Sequence, residues 1–218
     1  MKPKLTKMDV FATKLYNLTE LVYELIKNSF FFWCYLLRGF GVITLLASIK
    51  SLAGVSLDIV HKERKPTRLN YKENYHNTDR KRFQSLLIFF LFLYLTALTL
   101  LPFPTALKGS MWYGLKYLAL FIVVIGLLLL VTKPIFEILL PEAKWTISTQ
   151  IYFLVKGGKW SILLLAGMLA VLWFSLQNVI FLVGFAPGIL GILSAAIGEK
   201  MVGLVIGSSE SKRGEISV

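Results

Sequence analysis

Few side chains in this 218-residue chain have the chemistry of a polar site, and those that do sit inside or beside apolar runs. Arg38 interrupts the first strongly apolar stretch, in Arg38-Gly39-Phe40-Gly41, and Glu199 stands in the last one with Lys200 beside it. An ionisable residue at membrane depth is by default a candidate for ligand or ion contact. Arg38 admits three readings: a turn residue whose long side chain reaches the headgroups at the outer interface, a guanidinium buried against carbonyls at a helix break, or an anion contact beside the helix ends around Gly39 and Gly41. Glu199 either faces the bundle interior or lies at the interface where its helix ends. Gln177 and Asn178, in the preceding apolar segment, either face Glu199 across a hairpin or lie near an outer turn.

No spacing points to catalysis. His61 and His76 share one polar segment without a metal-ligand pattern, and no glycine-rich loop precedes a lysine and a hydroxyl residue. Cys34 is the single cysteine, which excludes an intrachain disulfide and a cysteine metal cluster. Among Phe32, Trp33 and Tyr35 it reads as a small apolar filler. The expectation is a protein that is not an enzyme, with no catalytic, cofactor-binding or metal-binding residue and no cofactor.

These residues need a membrane to position them. With 56% hydrophobic residues and a mean hydropathy of +0.68, the chain carries more apolar surface than one soluble core of this size can hide. The net charge of +12 would suggest nucleic acid in a soluble protein. Here the basic residues cluster at the edges of apolar runs, as retention on the cytoplasmic side predicts, so no nucleic-acid partner is expected. The first twenty residues, interrupted by Lys7, Asp9, Lys14 and Glu20, do not read as a cleavable signal.

The expected fold is all-α: a polytopic helical membrane protein with an amphipathic N-terminal helix, a broken or hairpin first membrane segment and four further transmembrane helices. Residues 8–27 repeat Phe11, Leu15, Leu18, Val22 and Leu25 at the helical period, which predicts an amphipathic helix on the bilayer surface or on the protein's own cytoplasmic face. Residues 28–57 form the apolar stretch broken at Arg38. Lys2, Lys4, Lys7 and Lys14 precede it, and Lys62, Arg64, Lys65, Arg68, Lys72, Arg80, Lys81 and Arg82 follow it. Two basic flanks belong on one side, so the stretch crosses zero or two times, as a hairpin turning at residues 38–41. Residues 58–84 are then a basic cytoplasmic loop with some short helix.

Four transmembrane helices are expected within residues 85–206, over 85–103, 112–131, 160–182 and 189–206. Lys133-Pro134 ends or kinks the second of them, and residues 135–155 read as one or two surface-lying helices. A tight outer turn is expected at Gly184-Phe185-Ala186-Pro187-Gly188, and residues 207–218 form a cytoplasmic tail. Both termini are therefore cytoplasmic in a multi-pass protein of the cell membrane, with the lipid bilayer as its first partner. Gly188, Gly191, Ala195 and Gly198 line one stripe of the last helix, which lets another helix approach closely, within the chain or in an oligomer.

The aromatic first segment leading into Gly41-Val42-Ile43-Thr44, the basic loop ending in Arg82-Phe83-Gln84-Ser85 and the later apolar helices together resemble the YesL-like family of small bacterial membrane proteins. The resemblance covers most of the chain. It departs at Gly41, where the family often carries proline, and at Leu45 and Leu46, where it carries glycine or proline shortly after the threonine. The resemblance implies a bacterial, often Gram-positive, setting close to carbohydrate importers of the ATP-binding cassette (ABC) type. It implies no catalytic residue. The functional expectation is an accessory or regulatory component of such an importer, with ABC transporter subunits as partners; the alternative is a small-molecule transporter or substrate-binding subunit in its own right.

Overall fold

A computed structural model describes residues 7–38, 44–62, 67–78, 90–91, 94, 110–143 and 145–215. Most of these residues are helical, with no strand among them. In chain order the helices are α1 (Lys7–Leu37), α2 (Leu45–Val60), α3 (Thr67–Thr78), α4 (Ser110–Leu139), α5 (Ile147–Lys156), α6 (Gly158–Gln177), α7 (Val179–Gly184) and α8 (Ala186–Glu215).

Three helices are long and apolar enough to cross a membrane: Lys116–Leu139, Gly158–Gln177 and Ala186–Gly207. Their outer surfaces are apolar too. Leu176 is 85% exposed and Ile162 70%, among many exposed Leu, Ile and Phe side chains on α4 and α6. So much contiguous apolar surface is stable only against hydrocarbon. The chain is a membrane protein. The transmembrane helix expected over residues 85–103 lies outside the described residues, apart from Phe90, Leu91 and Tyr94.

Helix α1 differs from the expected division at residue 28. It runs unbroken through Lys27, Asn28 and Ser29, because residues 7–37 contain neither proline nor glycine. On its N-terminal half Phe11, Leu15, Leu18 and Val22 are exposed, so no part of the described chain packs over that stripe. Beyond Leu37 the chain returns as α2: Thr44 Oγ1 donates to Leu36 O at 2.8 Å, and farther along Asn28 Nδ2 donates to Ser56 Oγ at 3.1 Å. The two helices thus lie antiparallel.

Helix α4 continues through Pro134 to Leu139 rather than ending there. Gly157 alone separates α5 from α6, and a Cβ on it would stand 2.9 Å from Met201 of α8. The expected turn at residues 184–188 contracts to Phe185, since Pro187 is tolerated in the first turn of α8, where no intrahelical N–H bond is lost.

The glycine stripe of α8 faces the rest of the described chain. A Cβ on Gly188 would lie 2.5 Å from Leu25 O of α1, one on Gly191 would run into Ser56 Oγ of α2, and one on Gly198 would lie 2.7 Å from Ile135 of α4. Ala195 is fully buried in a cluster with Ala53, Leu57 and Ile135. Gly191→Leu should therefore cost about 1–3 kcal/mol by overpacking. Gly203→Leu, with nothing within 4 Å of its Cβ, should leave stability within about 0.5 kcal/mol. Unfolding in detergent, followed by circular dichroism, separates the two.

Candidate functional site

Two arrangements converge on α2, one polar and one apolar. The polar one starts with Asn28 and Ser29, adjacent on α1 and both fully buried. The Tyr71 hydroxyl of α3, also fully buried, lies 2.7 Å from Asn28 Oδ1 and 3.0 Å from its carbonyl. Asn28 also donates to Ser56 of α2, while Ser29 Oγ accepts from the Gly188 N–H of α8 at 2.9 Å. That N–H belongs to the first turn of α8, where the helix offers no internal acceptor. Ser51 Oγ donates to Ala47 O at 2.8 Å and lies 3.3 Å from Tyr71 O. Ser48, one turn earlier on α2, is buried with no partner for its hydroxyl among the described residues.

Aromatic packing reinforces this seam. The Tyr71 ring stacks on Tyr35 at 5.4 Å, and Tyr75 packs on Tyr35 at 5.1 Å. Burial, with Tyr35 beside it adding a smaller share, pushes the Tyr71 phenol well above its ordinary value of 10.0.

The contacts also give the relative level of the helices. Leu52 and Ser56 meet Gly191, Ala53 and Leu57 cluster with Ala195, and His61 Nε2 lies 3.4 Å from Glu199 Oε1. α2 and α8 therefore run side by side in the same direction. Asn70 bonds Asp58, Asn70 and Asn74 press on Gly54, and Tyr71 reaches Ser51, so α3 runs back along α2. The polar helix α3 thus stands level with the 191–199 portion of α8, inside the candidate span Ala186–Gly207. Its outward residues Arg68, Lys72 and Glu73 are exposed.

On another side of α2 lies a cavity of about 380 Å³, bounded by α1, α2, α4, α6, α7 and α8 through residues such as Phe32, Leu45, Leu127, Met168, Leu182 and Leu190. Its polar wall residues among those described are Ser175 and Ser194. Their hydroxyls donate within their own helices, to Val171 O at 2.7 Å and Gly191 O at 2.9 Å. A half-open chamber with such walls suits an apolar guest.

The polar residues singled out from sequence do not gather in one place. Arg38 is exposed at the C-terminal end of α1, its N–H donating to Cys34 O at 3.2 Å, where a cation complements the helix carbonyls. Glu199 is 44% exposed and pairs with His61 beyond the other end of α2. The 16 residues of α2 separate the two by about 24 Å at helical rise. Asn178 caps α7, accepting from the N–H groups of Ile180 at 2.9 Å and Phe181 at 3.3 Å. It lies with Gln177 near the turn into α8, at the end of that helix remote from Glu199.

Sequence reading passed over Tyr71, Asn28, Ser29 and an ion triad in which Glu137 faces Lys50 at 3.8 Å and Lys133 at 3.9 Å. Tyr71 and Tyr75, spaced one helical turn apart in a polar segment, were the available signal for the inner face of α3. Comparison with protein-family models, curated proteins and solved structures finds no match to the chain.

Tyr71→Phe should destabilise the protein by about 1–3 kcal/mol, because Asn28 Oδ1 would stay buried without its donor. The raised phenol pKa gives a second test. The unfolded phenol ionises near pH 10 while the folded one holds its proton, so its contribution is full below about pH 10 and is lost as pH rises toward the folded pKa. Between pH 9 and 11.5, stability of the wild type should therefore fall more steeply than that of Tyr71→Phe, as read by thermal unfolding.

Proposed function

We propose that the chain is a non-enzymatic multi-pass protein of the cell membrane that acts by association, as an accessory or regulatory component of a bacterial carbohydrate importer of the ABC type. The resemblance to the YesL-like proteins supplies the class of partner. The topology proposed with it has residues 28–57 as a hairpin first segment, four further crossings and both termini in the cytoplasm. The basic flanks before and after that hairpin then start from one side, and α3 folds back from there along α2.

One observation carries this reading. A helix bearing exposed Arg68, Lys72 and Glu73 stands level with a candidate membrane span. A charged residue in hydrocarbon costs about 2.5–3.5 kcal/mol even on the mildest scales. The outer face of α3 therefore needs a neighbour other than lipid, and a polar partner subunit meets that need.

Solubilised importer subunits should copurify with the wild-type chain, and Arg68→Glu combined with Lys72→Glu should reduce their recovery about tenfold or more. Purification of the wild type without a partner, together with unchanged sugar uptake after deletion, would sink the proposal. Rapid labelling of a cysteine at position 72 by an impermeant maleimide, in a Cys34→Ser background within native membranes, would assign the face to water instead.

The 380 Å³ cavity favours a second reading, a transporter or substrate-binding subunit for an apolar molecule. Arg38 and Glu199 stand at opposite ends of α2 and would not share its substrate. Uptake of an apolar probe by vesicles containing this chain alone, blocked by Leu190→Trp, would select this reading over the first.

A further inference from the structure

We propose that the cleft between the start of α6 and the neighbouring turn of α8 binds the phosphate of an anionic lipid headgroup, with Lys159 and Lys200 as its cations. The cleft is shallow and open to its surroundings, and is lined by Lys159, Trp160, Glu199, Lys200, Gly203 and Leu204, among others. Its level follows from the packing. Gly157, immediately before α6, meets Met201 of α8, so Lys159 and Lys200 come from the same height on two antiparallel helices. Both lysines are exposed.

That height is the first turn of the candidate span Gly158–Gln177, and on α8 it lies about 10 Å before the end of the span at Gly207, a depth from which a lysine side chain reaches the headgroups. Trp160 is half-buried there, with Lys159 Nζ 5.4 Å from its ring centroid. An amphipathic indole beside an ammonium group is the arrangement expected where headgroups meet acyl chains.

The charge balance suits an anion. Glu199 is the acid in the cleft lining, and its Oε1 already has a partner in His61 of α2. The two ammonium groups leave a positive excess. Room is present as well: a Cβ at Gly158 or at Gly203 would meet nothing within 4 Å. Leu204, 45% exposed, offers an apolar surface for the chain that follows the headgroup. Basic pockets between membrane helices on the cytoplasmic side recurrently hold such headgroups.

Phosphate could also arrive free in solution, and the apolar surface at Leu204 with the edge of the span favours the lipid source. The test places the full-length protein in mixed bilayers of phosphatidylcholine and phosphatidylglycerol, with bromine on the acyl chains of one lipid at a time. The Trp160 signal is isolated as the difference from Trp160→Phe. Brominated phosphatidylglycerol should quench Trp160 more strongly than brominated phosphatidylcholine. Lys159→Gln and Lys200→Gln should each reduce that preference about fivefold, while the paired arginine variants retain it and show that the fold is intact. Equal quenching by the two lipids, or a preference that survives the double glutamine variant, would overturn the proposal. Abolition of the preference by inorganic phosphate at constant ionic strength would reassign the site to soluble phosphate and overturn the lipid source.

Discussion

A single phenol, sealed against one asparagine, ties the α1–α3 side of the molecule together. Tyr71 brings α3 onto the Asn28 carbonyl and side chain, and Asn28 in turn holds Ser56 of α2. Each such bond adds only about 0.5–1.5 kcal/mol net, yet a buried group left without its partner costs about 1–3 kcal/mol. The seam therefore acts more by excluding other registers than by raw strength. Ser29, the next residue on α1 and about 100° round the helix, reaches Gly188 on α8. One turn of α1 thus sets the position of three other helices.

That arrangement depends on the small residues of α8. Apolar side chains in lipid gain nothing from hiding against other apolar side chains, so association rests on close packing and on hydrogen bonds. Gly188 lets α8 come close enough to Leu25 for Ser29 to satisfy its N–H, and Gly191 leaves space for the Ser56 hydroxyl that Asn28 needs. At Gly188 the absent side chain and the hydrogen bond are two parts of one contact. Farther along, Gly198 and Gly157 admit Ile135 and Met201, which brings α4 and the α5–α6 junction onto the same helix.

The membrane class, the all-helical fold and the small-residue stripe on α8 were legible in the sequence because each is a periodic or compositional signal. The stripe reads as one face from residue numbers alone, although its contacts with three different helices do not. Tyr71 escaped for a physical reason: its segment is dominated by Arg, Lys, Glu and Asn, and a polar segment is normally solvated on every side. Its burial is a tertiary event, created by a carbonyl and a side chain 43 positions earlier. Pro134 shows the converse. Proline predicts a break or kink, but α4 carries on to Leu139 within the bundle, where Ile135 and Phe136 are completely buried. Arg38 and Glu199 are both candidate polar contacts in the sequence, which gives no distance between them; the length of α2 does.

Helix α2 can be understood as a partition between two environments. Leu45, Ile49, Leu52 and Ala53 line the apolar cavity, whereas Ser51 and Gly54 meet the polar helix α3. Residues 51–57 are buried on every side, which is unusual for a helix carrying so many hydroxyls. An apolar helix in this place would leave the Asn28 side-chain N–H without its Ser56 acceptor, and a more polar one would wet the cavity. Ser51 and Ser56 resolve the conflict, Ser51 by bonding locally and Ser56 by accepting across the seam, so that α2 is polar toward α3 and apolar toward α6. Any event on the polar face that is felt in the cavity must then move α2 itself, because coupling between two sites is carried by packed elements with alternative arrangements. Its end at His61 meets Glu199, which also lines the lysine cleft. Helices α2 and α8 thus both meet the polar seam, the apolar chamber and the charged cleft, and they do so side by side.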